Sequence, residues 1–340
     1  MKNTSVRFKG CDKRSITIQS QIHSNETHST PVLFSLIEAL NKREITGTID
    51  IFPCINKVGF LNYCFTHSGL YDPDNGQNWN RIDFEIIPLI VDIFRKQANI
   101  VKGIDDIYLI IESIENNLFF SSYGNKRQNL NFIAPIKSAL KSQYFVDVHT
   151  PECGVEHLYC NHISEFVNSF RITPTIIDKS NSNTFRKFLF ILFEELKTIE
   201  NDIIKSFFSD REIITLELPS NTYITNKYIN KWTDFMLNVL KSNNFIKKNE
   251  DIINTNNICE SNDIFDASTL KWYYSDIDGI VVLNKPVGSI VEENDLIMTI
   301  MSIEGEKQYI KAVKKGLFLC FRDKKVTLSG EWVARILENQ

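Results

Sequence analysis

The sequence predicts an α/β protein in which a mixed sheet is flanked by helices and is followed by a small all-β domain. Strand and helix patterns alternate through residue 246, which is typical of a parallel or mixed sheet covered on both faces. The Asn- and Asp-rich segment 247–263 has little apolar surface to bury and is predicted to be a linker. Over 264–340 the pattern indicates only short strands and turns. We therefore predict two domains, 1–246 and 264–340.

The elements of the first domain follow from the spacing of apolar residues. Residues 15–22 alternate between polar and apolar side chains, as a half-buried strand does. Pro31 suits the first turn of a helix, and apolar residues recur at helical spacing over 32–40. The other predicted strands are 48–52, 144–148 and 213–218, and the other predicted helices are 132–141, 185–199 and 227–240.

Residues 82–131 do not fit the alternating pattern, and we interpret them as an insertion or a pocket wall. They contain an apolar helical run at 86–94 and a predicted strand at 107–111. The short strands predicted for the second domain are 279–283, 296–300, 309–310, 317–319 and 333–334.

Composition and charge exclude several classes of protein. Of the 340 residues, 43% are hydrophobic and 24% are charged, which is the range of a folded globular protein. The 38 basic and 42 acidic residues give a net charge of −4, so we expect no nucleic-acid partner. No apolar run reaches the roughly 20 residues that span a bilayer, and the first residues do not form a signal-peptide block. We expect a cytoplasmic protein without a membrane partner, and the sequence leaves a homo-oligomer open.

Two of the six histidines follow predicted strands and have an acidic residue in reach. His23 and Glu26 come directly after the first strand, and His149 follows the strand 144–148. Because the carboxyl ends of parallel strands meet at one edge of a sheet, we expect these three side chains to converge. Two imidazoles and one carboxylate, with a fourth position left open, form the ligand set of a catalytic zinc site. The sequence therefore predicts one Zn²⁺ per chain at this edge.

Two other segments carry polar groups suited to substrate chemistry. Asn80 and Arg81 end a turn-rich loop, and a guanidinium fork makes two charge-assisted hydrogen bonds to one carboxylate. Glu217 interrupts an otherwise apolar strand. A carboxylate in that position can deprotonate water and then protonate a leaving amine.

These motifs resemble, in order and rough spacing, the succinylglutamate desuccinylase and aspartoacylase family over residues 15–225. The resemblance implies a zinc carboxypeptidase-like fold and hydrolysis of the amide bond of an N-acylated amino acid. It implies zinc at His23, Glu26 and His149, a catalytic Glu217, and a substrate-carboxylate pair at Asn80 and Arg81. The segment 278–281 resembles the start of a barrel-sandwich domain that many of these deacylases carry. The matching phrases are His23-Ser24-Asn25-Glu26-Thr27, Asn56, Asn78-Trp79-Asn80-Arg81, Asp147-Val148-His149-Thr150 and Thr215-Leu216-Glu217-Leu218.

The chain departs from the family pattern in the loop before Asn78. Members of the family normally supply a further arginine there, whereas this chain has no arginine between Arg43 and Arg81. The register of the motifs places Leu70 at the corresponding position, or, with a small shift, His67. His67 and His157 are therefore candidates for substrate binding. We expect one substrate carboxylate to be recognised and a second acidic group to be recognised poorly.

A second cluster of soft ligands competes for a metal. Cys153, His157, Cys160 and His162 lie in one short segment, and a closed structural zinc site uses such donors. Their spacing is irregular for zinc fingers and tight for one tetrahedron. We therefore favour an interpretation in which His157 faces the pocket and the cysteines pack in the core.

Two classes of function remain open from the sequence. One is a zinc-dependent amidohydrolase acting on an N-acyl amino acid, or, with the same site, a carboxypeptidase-like hydrolase of a short peptide or biosynthetic intermediate. The other is a non-catalytic binding protein on a hydrolase scaffold. The presence of all three ligands and Glu217 favours the enzyme, because a decayed site usually loses one of them.

Overall fold

The structure is a computed structural model that describes residues 5–66, 69–121, 127–180, 182–220, 223–247, 263–322 and 326–339. The helices are α1 Ser29–Leu40, α2 Lys57–Thr66, α3 Ile86–Gln97, α4 Ile104–Phe119, α5 Arg127–Lys141, α6 Glu165–Ser169, α7 Phe185–Leu196, α8 Asp202–Ser209 and α9 Asn226–Ser242. The strands are β1 Val6–Lys9, β2 Ser15–Ser20, β3 Thr48–Phe52, β4 Tyr144–His149, β5 Cys153–Gly154, β6 His157–Cys160, β7 Thr175–Ile177, β8 Glu212–Glu217, β9 Ile264–Asp266, β10 Leu270–Tyr274, β11 Gly279–Leu283, β12 Ile290–Val291, β13 Leu296–Met301, β14 Lys307–Lys311, β15 Gly316–Phe321, β16 Val326–Thr327 and β17 Trp332–Glu338.

A mixed eight-stranded sheet forms the centre of the protein, in the order β1-β3-β2-β4-β8-β6-β7-β9. Strands β3, β2, β4 and β8 run parallel, and β6 pairs antiparallel with β8. One apolar core lies between the sheet and helices α3, α4, α5, α7 and α8, and a second core lies on the other face under α1 and α9. The predicted fold class, a mixed sheet flanked by helices, is confirmed.

The strands of the central sheet match the expected alternation. Ile16 and Ile18 of β2 face the core under α1 and α9, and Ile49 and Ile51 of β3 lie beside them. Thr17 is also buried, but its hydroxyl bonds Ser138 and Ser142 of the helical layer, so its polar group is satisfied. The pattern that predicted these strands therefore reflects burial on both faces of the sheet.

The predicted strand at 107–111 is wrong. These residues lie inside α4, and the buried side chains of that helix, from Ile107 through Ile110, Ile111 and Ile114 to Leu118, recur every three or four residues. A short run of β-branched residues fits a strand or a buried helix equally well, and here the period of the longer segment decides. The predicted helix at 86–94 is confirmed by α3, whose buried face meets α7.

The last part of the chain folds into antiparallel sheets. Strands β14-β13-β11-β16 form one sheet, and β10-β17-β15-β12 form another. Val291, Ile297, Met298 and Phe318 are among the buried residues of the core between them. Two strands join this part to the rest: β5 pairs with β15, and β9 pairs with β7 of the central sheet. The proposed domain limits remain a prediction, and 248–262 of the predicted linker lie outside the described residues.

None of the helices in the described part of the chain combines the length and the hydrophobicity that a bilayer-spanning segment needs. The cytoplasmic location remains a prediction.

Candidate active site and metal centre

Three predicted site residues lie side by side across the sheet. His149 of β4 is paired with Glu217 of β8, and Glu217 is paired with His157 of β6. Directly opposed residues on neighbouring strands point to the same face, and neighbouring strands are about 4.8 Å apart. His149, Glu217 and His157 therefore form a row on one face, with Glu217 in the middle.

His23, Glu26 and His149 meet at the His149 end of this row. Their exposed fractions are 9%, 7% and 3%, and one ligand atom from each lies within 4.8 Å of the others. His23 Nδ1 is 2.6 Å from Glu26 Oε1, and His149 Nδ1 is 2.8 Å from Glu26 Oε2. The convergence predicted from the strand ends is thus observed, and these residues form a buried group that could bind a metal ion.

The hydrogen bond at Nε2 of each histidine ring indicates which of its two nitrogens carries the proton. His23 Nε2 is 3.1 Å from Asn78 Oδ1, and His149 Nε2 is 3.0 Å from Asp147 Oδ2. Amide and carboxylate oxygens only accept, so each ring donates from Nε2, and Nδ1 then faces Glu26 with its lone pair. An imidazole nitrogen lone pair and a carboxylate oxygen repel each other unless a proton or a cation lies between them. Two imidazole nitrogens and a carboxylate oxygen fit Zn²⁺ well.

Residues behind the ligands hold them in place. Gln19 Nε2 donates to Asp147 Oδ1 at 2.9 Å, so Asp147 is fixed on one side by Gln19 and on the other by His149. Asp147 lies two residues before His149 on the same strand face, so its carboxylate is in reach of the outer nitrogen of the His149 ring. Asn78 Oδ1 also accepts the backbone N–H of Asn80 at 2.9 Å, which sets the direction of its amide.

Charges around the cluster favour a positive group beside Glu26. Burial by itself would raise the pKa of Glu26, but the adjacent imidazoles outweigh burial and hold that pKa well below its usual range. Burial would lower the pKa of His149, but Asp147 and Glu26 raise it well above the usual value. The lowered pKa of Glu26 and the raised pKa of His149 both show that the cluster stabilises positive charge, which a divalent cation can supply.

Glu217 lies beside this cluster, on the strand next to His149. Its Oε2 is buried and accepts no hydrogen bond within the described residues. Burial, with the Glu26 charge as a smaller cause, raises the pKa of Glu217 to about 7. A carboxylate with a pKa near neutrality can take up and return a proton in one reaction cycle.

Asn80 and Arg81 occupy the His23 side of the site. The Asn80 side chain is buried, and its Oδ1 accepts the backbone N–H of Phe185 at 2.9 Å, where helix α7 begins. Arg81 is exposed, and its Nη1 donates to the Asn80 carbonyl at 2.8 Å. The two residues are therefore linked to the metal-ligand loop through Asn78, and Asn80 has a structural contact that its motif did not predict.

His157 is fully buried, as a site residue facing the pocket is expected to be. Its Nδ1 donates to the Val155 carbonyl at 2.9 Å, and its Nε2 has no partner among the described residues. Burial, assisted by the charge of Arg335, lowers the pKa of His157 to about 3, so the ring is neutral. His67, the other candidate for substrate binding, lies outside the described residues.

The competing cysteine and histidine cluster does not assemble. Within the described residues, His23, Glu26 and His149 are the group of three or more ligands close enough to hold one ion. Cys160 packs in the core and its Sγ lies 3.9 Å from the Ile176 carbonyl, while His162 is exposed. Cys160 thus packs in the core as expected, whereas Cys153 is only half-buried, and the interpretation that His157 faces the pocket stays a prediction.

Several solved structures have the same fold as this protein. A succinylglutamate desuccinylase/aspartoacylase family protein from Shewanella amazonensis superposes with a TM-score of 0.77 and 18% identity, over 98% of this chain and 93% of that chain. Its counterpart from Shewanella frigidimarina gives 0.79 and 19%, over 98% and 92%. This is the fold of the succinylglutamate desuccinylase/aspartoacylase family. The family resemblance predicted from the motifs is thus confirmed by structures that span nearly the whole chain.

The same fold is seen in a product-bound structure of the ectoine utilization protein EutE (DoeB) from Ruegeria pomeroyi, with a TM-score of 0.65 and 13% identity over 98% of this chain and 88% of that chain. At these identities the likeness to the family concerns the fold. No model of a known family matches the sequence, and no curated protein does. The roles of the site residues therefore rest on the geometry above.

Proposed function

We propose that this protein is a zinc-dependent amidohydrolase that removes the acyl group from an N-acylated amino acid. One observation carries the proposal: the buried cluster of His23, Glu26 and His149 lies one strand from Glu217, whose Oε2 has no hydrogen-bond partner among the described residues. A three-ligand centre beside a free base is the arrangement that hydrolytic zinc sites use. The fold shared with deacylase-family proteins supports the same class of reaction.

When bound at the three ligands, Zn²⁺ polarises the acyl carbonyl and lowers the pKa of a water molecule. Glu217 accepts a proton from the attacking water while the oxygen of that water forms a bond to the acyl carbon. Glu217 then returns that proton to the nitrogen as the amide C–N bond breaks, and the second proton of the water leaves with the new carboxyl group. The products are a carboxylic acid and an amine, which become a carboxylate and an ammonium ion when that second proton passes to the amine through solvent. Asp147 and Asn78 keep the two imidazoles oriented throughout, because each accepts the outer ring N–H.

The proposed function is tested by assaying amine release from a panel of N-acetyl and N-succinyl amino acids with zinc-loaded protein. Short peptides belong in the panel, since a carboxypeptidase-like hydrolase would cleave them with the same residues. We expect hydrolysis of at least one N-acyl amino acid and its loss on chelation. Tight binding of the compounds without amine release would instead identify a non-catalytic binding protein.

Arg81 is expected to bind the substrate carboxylate. Changing Arg81 to Lys keeps the charge but removes the planar fork, so two charge-assisted hydrogen bonds cannot both form. Hydrogen bonds to charged groups contribute about 1.5–3 kcal/mol, and Arg81 is exposed, so the lower end applies. We expect kcat/KM for an N-acyl amino acid to fall about tenfold, since about 1.4 kcal/mol is a factor of ten.

The control for this change is Arg95→Lys, which alters an exposed arginine in the last turn of α3. The α-amide of the same substrate should be insensitive to Arg81→Lys because it has no carboxylate to lose. Equal values for the acid and the amide in the unaltered protein would place the carboxylate anchor elsewhere.

A further inference from the structure

A large cavity lies at the edge of the central sheet that is opposite to the metal ligands. Its volume is about 760 Å³, within the range of roughly 300–1,000 Å³ that ligand pockets have. Ser15, Gln143 and Arg211 line it, and they lie at or just before the first residues of β2, β4 and β8. His149 and Glu217 end β4 and β8, roughly 20 Å away, because a strand rises about 3.3 Å per residue. The cavity is therefore separate from the candidate active site.

Most of the charges in the wall of this cavity are stabilised by an ion pair or by water. Side chains of the wall take part in three ion pairs, which are Arg7 with Asp50, Lys141 with Glu112, and Asp12 with Arg14. The other charged groups of the wall are exposed to solvent, except Arg211, which is only partly exposed. Within the described part of the chain, no carboxylate forms a salt bridge with Arg211. A partly buried cation without an anion is costly, and the cost falls when an anion binds.

The guanidinium of Arg211 is held on two aromatic rings. Its Nε donates to the Phe207 carbonyl at 2.9 Å. Its central carbon lies 4.3 Å from the centre of the Phe207 ring and 5.5 Å from the centre of the Phe208 ring. These contacts fix the plane of the group through Nε and one face. They leave both Nη atoms to donate to a ligand, since neither donates to a group in the described residues.

The nearest groups that stabilise the charge of Arg211 belong to the large cavity. Burial lowers the pKa of Arg211 to about 10, and Tyr108 and Asp210 oppose this shift only in part. Tyr108 and Asp210 both line the large cavity. A smaller cavity that Arg211 also borders is lined by neither of them. The guanidinium charge is therefore accessible to an anion from the large cavity.

Neutral hydrogen-bonding groups and an apolar wall complete the cavity. The Gln143 amide and the Ser206 hydroxyl line it, and neither side chain forms a hydrogen bond with the described residues. Ile104, Tyr108 and Phe207 supply apolar surface. The Tyr108 and Phe207 rings pack edge to face with their centroids 5.8 Å apart. The cavity thus offers one guanidinium, two neutral polar groups and an apolar wall to the same ligand.

We propose that this cavity binds a small carboxylic acid with an apolar body, and that Arg211 binds its carboxylate. A guanidinium fork matches the two oxygens of one carboxylate, and Gln143 and Ser206 add neutral hydrogen bonds. The exposed carboxylates of Asp105 and Asp210 also line the cavity. They repel a doubly charged phosphate more strongly than a singly charged acid, which favours the carboxylate. The site does not depend on the proposed function, because its residues lie at the opposite edge of the sheet.

The test is a calorimetric titration of the zinc-loaded protein with hexanoate, which has one carboxylate and an apolar chain. Three comparison compounds each lack a feature of the proposed ligand: hexanamide has no charge, acetate has no apolar chain, and inorganic phosphate has no carboxylate. We expect hexanoate to bind at least about tenfold more tightly than each of them. Arg211→Gln should weaken the binding of hexanoate at least about tenfold, because the charge-assisted hydrogen bonds are lost.

A second variant keeps Arg211 and its contacts with Phe207 intact. Ser206 is an exposed residue of the cavity wall, and Ser206→Glu adds a carboxylate that competes for the guanidinium. It should also weaken the binding of hexanoate at least about tenfold. The matched control is Arg95→Gln, which removes the same charge from an exposed arginine of α3 outside the cavity and should leave binding unchanged. Phosphate that binds as tightly as hexanoate would overturn the proposed class of ligand.

A carboxylate can also bind to a zinc ion, so the metal centre needs its own control. His149→Ala removes one of the three proposed zinc ligands, and hexanoate bound at Arg211 should remain in this variant. Loss of all hexanoate binding in His149→Ala would assign the acid to the metal centre and overturn the proposal. The same conclusion would follow if hexanoate did not bind the unaltered protein, or if its affinity were equal in Arg211→Gln and Ser206→Glu.

Discussion

Changing Glu217 to Gln is expected to lower kcat for amide hydrolysis about 100-fold or more while zinc remains bound, since general-base catalysis contributes about 10²–10⁴-fold. The glutamine has nearly the same shape but cannot accept the proton of the attacking water. It is not one of the three ligands, so the metal content measured by atomic absorption should be unchanged. KM should change little, because Glu217 acts on the proton and does not bind the substrate carboxylate.

The stability of this variant serves as its control. Burial raises the pKa of Glu217 to about 7, so the folded state favours the protonated form more than the unfolded state does. Any stability contributed by that protonation is present below the unfolded pKa and is lost as the pH rises through about 7. At pH 8 the metal-free glutamine variant should therefore unfold at a temperature no lower than the unaltered protein. An undiminished kcat in a folded, zinc-loaded Glu217→Gln protein would exclude the proposed role.

Changing His149 to Ala is expected to remove the metal and, with it, the activity. The substitution leaves two ligands of a three-ligand site, and it also removes the ring nitrogen that forms a hydrogen bond with Asp147. Dialysed protein should contain far less than one zinc per chain. Zinc should no longer raise the unfolding temperature, because a ligand stabilises only the state that binds it.

His162→Ala is the matched control, because His162 is an exposed histidine outside the cluster. It should keep zinc, activity and stability. Zinc that survives in His149→Ala but disappears when Cys153 and Cys160 are changed would assign the metal to the other set of donors.

The four parallel strands at the centre of the sheet, β3, β2, β4 and β8, could be predicted from the sequence, because each has a period or a composition typical of a buried strand. The shorter strands beside them, β1, β6, β7 and β9, were not predicted. The pattern at 144–148 corresponds to β4, and the pattern at 213–218 corresponds to β8. The segment 107–111 was ambiguous, since β-branched residues satisfy a strand pattern locally. Its helical period became visible only over the whole of α4, where the apolar face packs on α5.

The metal cluster could be predicted because topology brings the ends of parallel strands together. β2 and β4 are adjacent, so the loop after β2 places His23 and Glu26 next to His149. Glu217 was recognisable because a carboxylate interrupts an apolar strand. The influence of the Arg335 charge on His157 could not be predicted, because it depends on the pairing of β15 with β5, which no sequence pattern specifies.

The hydrogen bond of the Asn80 side chain could not be predicted from its motif. Its amide is an obvious candidate for a substrate hydrogen bond, yet its oxygen accepts the backbone N–H of Phe185, which lies 105 residues away in the chain. Such a contact follows from how α7 packs against the loop and cannot be read from the motif. The contact makes the loop that carries Arg81 part of the helical layer.

We propose that His23, Glu26 and His149 hold the zinc ion of a deacylase. The most direct measurement is a zinc titration of metal-depleted protein, with amine release from a hydrolysed N-acyl amino acid as the signal. We predict that activity rises in proportion to added zinc and levels off at about one equivalent per chain, as expected for a single three-ligand site. His149→Ala should show no rise at the same concentrations. Full activity in the metal-depleted protein, or equal restoration in His149→Ala, would exclude a zinc centre at these three residues.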